Sequence, residues 1–256
     1  NSMDEEDHQF GIQLGCNGIV HILFEPIHPG LPANPIALLQ KAAHAEIPSV
    51  LATVFNLQDS AGSQTGTCCW LNGTDLVVAP SFSCTPDLRN RMAAVLESGR
   101  SSLAAAETTA LLQFIPPPVE LVIAGAGNDA QPLATLAALL GWRITVLDGR
   151  KTHATAARFP QAQRILVGKP PAVLEDIVVG PQTVFVLMSH NYPYDRDMLA
   201  QLLNSGSPYI GVLGPRKKFE QLLKDITASG IPVPEASLQS LYAPTDLQIG
   251  AETAEE

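Results

Sequence analysis

The sequence predicts an α/β chain: a carboxyl-terminal doubly wound parallel sheet preceded by a smaller α+β domain. Three observations carry that prediction. Past residue 118 apolar runs of strand length alternate with helical stretches, the first of those runs ends in a glycine turn, and Pro116-Pro117-Pro118 separates this region from a differently patterned one before it. The expected division is therefore a domain over 1–115, a linker at 116–118 and a second domain over 119–256. A chain of 256 residues is long enough for two domains of unequal size.

In the first domain, Gly18 to Phe24 reads as extended, Ile36 to Ala45 as helix and Val50 to Phe55 as strand. Thr67 to Trp70 and Leu76 to Ala79 flank Asn72-Gly73, a dipeptide that supplies the positive φ of a tight hairpin turn. A helix from Pro86 to Ser98 has proline in its first turn and Gly99 just past its end. In the second domain the predicted strands are Val119 to Ala124, Arg143 to Leu147, Arg164 to Val167, Thr183 to Met188 and Tyr209 to Leu213, with a helix from about Gln131 to Leu140.

The first of these strands runs into Gly125-Ala126-Gly127-Asn128-Asp129-Ala130, which matches G-x-G-x-x-A. Asp148 closes the next strand roughly 20 residues on, where a ribose-binding carboxylate is expected. The pattern describes a Rossmann-like fold, with Gly125, Gly127, Asn128, Asp129 and Asp148 as candidate cofactor contacts. The same glycines could serve packing alone, since a tight strand-to-helix turn needs small residues whether or not a phosphate sits on it.

Ligands of such sheets bind beyond the carboxyl ends of the strands, which singles out two further loops. His190, in Ser189-His190-Asn191, is a candidate acid or base, against the plainer role of satisfying a local hydrogen bond. Gly214-Pro215-Arg216-Lys217-Lys218 gathers cations at a helix start, where they oppose the helix dipole unless an anion is held there. Arg216 and Lys217 are the candidate anion contacts. Cys16, between Gly15 and Asn17-Gly18, is a candidate functional thiol. Cys68-Cys69 falls in a predicted strand whose neighbours point to opposite faces, so core packing is the expectation there.

The composition narrows the function classes. A net charge of −10 argues against a nucleic-acid partner, and the four cysteines form no C-x-x-C pair, so no metal site is expected. No apolar run reaches the roughly 20 residues of a membrane span, and the acidic opening segment is unlike a secretory signal, so a cytoplasmic location is expected.

These motifs taken in order resemble the XdhC/CoxI family, accessory proteins of molybdenum hydroxylases. The resemblance rests on Leu14-Gly15-Cys16-Asn17-Gly18 leading into Phe24-Glu25-Pro26, on Ala124 to Asp129, and on Val146 to Arg150 with Ala157-Arg158-Phe159-Pro160. It continues through Met188-Ser189-His190 with Asp195, Tyr209 to Lys218, and the closing Ala243 to Ala251. Asn17 and Thr245-Asp246 stand where the family pattern has glycine-containing stretches.

The resemblance implies binding of a molybdopterin-type cofactor, its protection or sulfuration with a cysteine desulfurase as partner, and handover to a molybdenum hydroxylase apo-enzyme. Such a protein acts more as a cofactor-binding chaperone than as a turnover enzyme. Open strand edges in the first domain would favour a homodimer. Two other readings stay open: an NAD(P)-dependent oxidoreductase in which Asp148 holds the ribose and His190 moves the proton, and a nucleotide-responsive partner-binding module.

Overall fold

A computed structural model describes residues 21–31, 33–59, 61–105 and 109–245, with the side chains of 104 and 105 excepted. The chain divides into two compact units, Asn1–Pro117 and Pro118–Glu256.

The first unit is built from α1 (Pro35–His44), β1 (Ser49–Phe55), β2 (Gly66–Asn72), β3 (Asp75–Val78), α2 (Pro86–Ser98), β4 (Ser102–Ala105) and β5 (Thr109–Ile115). Its strands form one antiparallel sheet in the order β3-β2-β1-β5-β4. Both helices start on side-chain caps followed by proline: Asn34 accepts from the Ala37 N–H at 3.0 Å and Thr85 from the Leu88 N–H at 3.2 Å. Gly99 closes α2 at φ 65°, a left-handed conformation that glycine adopts without steric cost. Leu38 and Ala42 of α1 pack with Leu51 and Trp70, while Leu88, Met92 and Val95 of α2 pack with Val50, Ala52 and Leu112.

Three details differ from the sequence expectation. The hairpin turns one residue later, at Gly73-Thr74, because Asn72 pairs with Asp75 and its side-chain amide donates to the carbonyls of Ile47 and Pro48. Cys68 and Cys69 do not face opposite sides of the sheet. The register of β1 against β2 skips Cys68, a bulge that interrupts the two-residue alternation and turns both thiols into the core beneath α2. The extended run expected from Gly18 to Phe24 lies partly outside the described residues, and His21 to Phe24 belong to no strand. Strands β4 and β5 were not read from the sequence: β5 alternates in burial, but Leu111 is exposed between buried Ala110 and Leu112 and masks the pattern.

The second unit comprises β6 (Glu120–Ala124), α3 (Ala130–Leu139), β7 (Arg143–Asp148), β8 (Arg164–Val167), α4 (Pro170–Leu174), β9 (Thr183–Leu187), α5 (Tyr192–Leu202), β10 (Tyr209–Val212), α6 (Arg216–Ala228), α7 (Glu235–Leu238) and β11 (Leu241–Tyr242). All pairings are parallel, in the order β11-β10-β9-β6-β7-β8. Numbered within the unit, this is the six-strand order of a dinucleotide-binding sheet. The expected Rossmann-like architecture is present, with a sixth strand too short to read from sequence.

Strand alternation divides the core into two layers. Leu121 and Ile123 of β6 face one side, with Ala130, Ala134 and Ala137 of α3 and with Phe159. Val122 and Ala124 face the other, with Val173 of α4, Met198 and Leu199 of α5, and Leu222 and Ile226 of α6. The strand order reverses between β6 and β9, so the loops that follow these two strands meet at the carboxyl edge.

Candidate functional site

The turn after β6 is held from three sides. Gly125, at φ 135°, lies so close to the backbone of Met188 and Ser189 that a Cβ would collide with the Met188 carbonyl. This glycine therefore lets the β6 and β9 loops touch backbone to backbone. Asp148, at the end of β7, accepts the Ala126 N–H at 2.7 Å. Arg158 donates to the Ala126 carbonyl at 3.2 Å and to Asn128 Oδ1 at 3.0 Å. Gly127 is less confined: a Cβ there would meet the tip of the Asp129 side chain and, at 3.7 Å, the His190 ring. Among the described residues, no acceptor meets the backbone N–H of Gly127, Asn128 or Asp129 at the start of α3.

Asp148 is buried, and its carboxylate accepts four hydrogen bonds: from Ala126 N and Arg150 Nη2 on Oδ2, and from Arg150 N and Nε on Oδ1. Burial pushes its pKa up, but the Arg150 guanidinium and the two backbone N–H groups outweigh that and hold it below the usual carboxylate range. A carboxylate has about four acceptor positions, so a ribose hydroxyl would have to displace one of these donors.

His190 sits at φ 56°, a conformation rare outside glycine and costly unless the surroundings impose it. The surroundings do. Ser189 before it donates its hydroxyl to Asp195 Oδ1 at 2.5 Å, and Asn191 after it caps α5 by accepting the Tyr194 N–H at 3.1 Å. Thus placed, His190 Nε2 meets Asp129 Oδ2 at 2.6 Å across the point where the strand order reverses.

Asp195 is fully buried and pairs through Oδ2 with Lys218 Nζ at 2.7 Å, and Lys218 also donates to the Leu213 carbonyl at 3.1 Å. The three adjacent cations at the start of α6 thus divide. Lys218 turns inward, Lys217 is exposed, and Arg216 is 79% exposed and pairs with Glu220 of its own helix at 3.3 Å. Between the carboxyl ends of β9 and β10 lies a cleft of about 350 Å³, lined by Met188, His190, Tyr192, Leu213, Gly214, Pro215 and Lys218.

A family model described as the XdhC Rossmann domain matches residues 121–256. The chain belongs to that family. It is 34% identical over 149 residues to a probable xanthine dehydrogenase subunit of Bacillus subtilis, covering 58% of this chain and 42% of that protein. It is 31% identical over 137 residues to the uncharacterized protein YqeB of Escherichia coli, covering 53% of this chain and 25% of that one. The chain therefore spans less than half the length of either relative. In fold it is similar to a crystal structure described as a xanthine dehydrogenase from Bacillus halodurans, with a TM-score of 0.53, 20% identity, and coverage of 87% of this chain and 90% of that one.

Within this family member the sequence candidates fall into three groups. Gly125, Gly127, Asn128, Asp129, Asp148 and His190 come together at one carboxyl edge. Arg216 and Lys217 stand at the head of α6, outside the lining of the cleft. Cys16 lies outside the described residues. Of the other cysteines, a hydrogen bond with Cys68 and burial push the Cys69 thiol up, and burial takes Cys84 up to about 11, so these are packing thiols.

Sequence reasoning passed over Arg158, Asp195 and Lys218 as site residues. The signals available for Asp195 and Lys218 were an acid in the first turn of the helix after one strand and a lysine at the start of the helix after the next; Arg158 carried none beyond its place in the resemblance. Only the crossover brings these together. Among the described residues, no His, Cys, Asp and Glu group is placed to hold a metal, and no helix is long and apolar enough to cross a membrane. A cavity of about 480 Å³ in the first unit is lined by Phe24, Glu25 and His28 among others. Its one carboxylate, Glu25, accepts the Thr67 N–H on one oxygen and the Thr67 hydroxyl on the other, tying the segment before α1 to the start of β2.

Proposed function

We propose that this chain is an accessory protein of a xanthine dehydrogenase-type molybdenum hydroxylase, and that the carboxyl edge of its parallel sheet holds a molybdopterin-type cofactor for delivery to the apo-enzyme. The observation that carries this reading is the Asp129–His190 contact, which frames one edge of the reversal point beside unpartnered helix-start amides. Family membership and the names of the relatives supply the client class.

The residues suit the anionic end of such a cofactor. Phosphate oxygens need N–H donors and a cation, and the Gly127 to Asp129 amides stand next to Arg158, whose Nε is buried without a hydrogen-bond partner among the described residues. When bound, the cofactor brings a metal and its sulfur ligands. The chain's own residues hold the phosphate end, orient the remainder past His190 and keep the turn rigid through Asp148 and Arg158.

A second reading, a nicotinamide dinucleotide, is favoured by the strand order and the turn. Against it, the Asp148 carboxylate commits its acceptors to Ala126 and Arg150, where an adenosine ribose would need them. Native mass spectrometry of the purified chain tests the proposal: a bound pterin species, lost in Gly127→Val, is the expected result. A nicotinamide nucleotide in its place would move the assignment to the second reading, and absence of any ligand that exchanges with added pterin phosphate would end the first.

A further inference from the structure

The β9/β10 cleft defines which part of the ligand it accepts. Its walls are mainly apolar: Met188, Leu213, Pro215 and the ring of Tyr192, whose hydroxyl is engaged by Asp225 at 2.7 Å. Two side-chain polar atoms remain for a ligand. An ammonium has three donors, and Lys218 uses two of them, on Asp195 and Leu213 O, leaving one N–H. His190 commits Nε2 to Asp129 and keeps Nδ1. A flat body with one acceptor oxygen matches this lining. A charged phosphate matches it less well, because the Lys218 charge is already balanced by Asp195 at 2.7 Å.

On the other side of the reversal point the space over β7 is differently furnished. Tyr194 of α5 lies against Gly149, 3.5 Å from where a Cβ would stand, and its hydroxyl donates to Gly168 O at 3.2 Å. Asp148 beside it has its acceptor positions filled. A nucleoside has little to bind there.

We propose that the β9/β10 cleft is the ring subsite of this crevice, that it takes a planar heteroaromatic ring bearing an oxo group, and that Lys218 selects that ring by donating to its oxygen. The assignment rests on the ligand-binding reading above and extends it: the ligand is read through one ring on the β9/β10 side, not through a second nucleoside over β7. Lys218 is then a specificity determinant, and Asp195 and Ser189 are positioning residues that hold it and the His190 loop.

Inosine monophosphate and adenosine monophosphate are suitable probes. They share ribose and phosphate but present an oxo oxygen or an amino group at the same ring position. Calorimetry on the full chain should find the oxo compound bound about tenfold or more tightly, the effect of one charge-assisted hydrogen bond. Lys218→Met should abolish that preference and leave affinity for the amino compound near the parent's. Because that change strands the buried Asp195 charge, the double variant Asp195→Asn with Lys218→Met provides a neutral pair in the same place.

Equal binding of the two probes by the parent chain, or a preference that survives in the double variant, overturns the ring subsite. If NAD binds tightly and loses affinity on Arg150→Ala while neither monophosphate discriminates, the ring subsite falls and the assignment moves to the nicotinamide reading. If none of the three binds, the ring subsite falls, while the cofactor reading is decided by the pterin exchange experiment above.

Discussion

His190 Nε2 stands 2.6 Å from Asp129 Oδ2, joining the loop after β9 to the turn after β6. This contact spans the one place in the sheet where neighbouring strands diverge in chain order, and it exists because His190 is held at φ 56°. Natural sequences keep such strained residues where function requires the geometry. His190→Gly should therefore stabilise the fold slightly, by about 0.5–1 kcal/mol, while weakening ligand binding. Urea unfolding paired with ligand titration checks this, and a destabilised glycine variant would show that the Asp129 contact and the entropy of glycine outweigh the relief of the histidine conformation.

The two glycines of the turn should behave differently. Gly125→Ala meets both a positive φ and the Met188 carbonyl, so it should cost about 2 kcal/mol or more in thermal or urea unfolding. Gly127→Ala meets only a movable side-chain tip and should cost much less. Gly127→Val should keep the fold and lose the ligand, because its branched side chain reaches into the space beside His190. Parity between the Gly125 and Gly127 alanine variants would contradict the backbone contact.

Asp148 links the turn to acid stability. Its folded pKa is depressed, so its contribution is complete above the unfolded value of about 4 and is lost as pH falls through the lower folded value. Stability measured from pH 6 downward should decline more steeply in the parent than in Asp148→Asn, which lacks that titration and starts from a lower plateau. Parallel curves would remove the linkage.

Asp195, fully buried, pairs with the partly exposed Lys218, and the pair is costly to break from the lysine side. Lys218→Met alone strands the buried Asp195 charge and should cost about 3–5 kcal/mol, Asp195→Asn alone should cost less because Lys218 keeps some solvent, and the two together should recover much of the loss. A double-mutant cycle by chemical denaturation measures the coupling, and additive losses would mean that the two groups do not interact.

Arg216 and Lys217 face outward, and the Arg216–Glu220 pair is of the exposed kind that contributes little. Replacing both cations with alanine should leave unfolding within about 0.5 kcal/mol of the parent. Any loss of ligand affinity should shrink as salt rises from low ionic strength to about 0.5 M, because the attraction acts through solvent. A loss that persists at high salt would place them in direct contact with the ligand.

The sequence by itself determined the α/β class, the parallel sheet of the second unit, the position of the glycine turn and the family. Each of these is written in local signals: apolar runs of strand length, small residues where chain must bend tightly, and caps and prolines at helix starts. Tertiary structure alone decided how those pieces are used. Gly125 turned out to face the backbone of Met188, and Asp148 the Ala126 amide and Arg150, because parallel strands far apart in the chain end at the same edge. Of three consecutive cations only Lys218 turns inward, since its position on α6 points it at the Asp195 carboxylate, 23 residues earlier. The bulge that turns both Cys68 and Cys69 into one core depends on the pairing of β1 with β2. Sequence patterns report the preferences of neighbours along the chain, whereas a crossover fold builds its site from loops whose meeting is set by strand order.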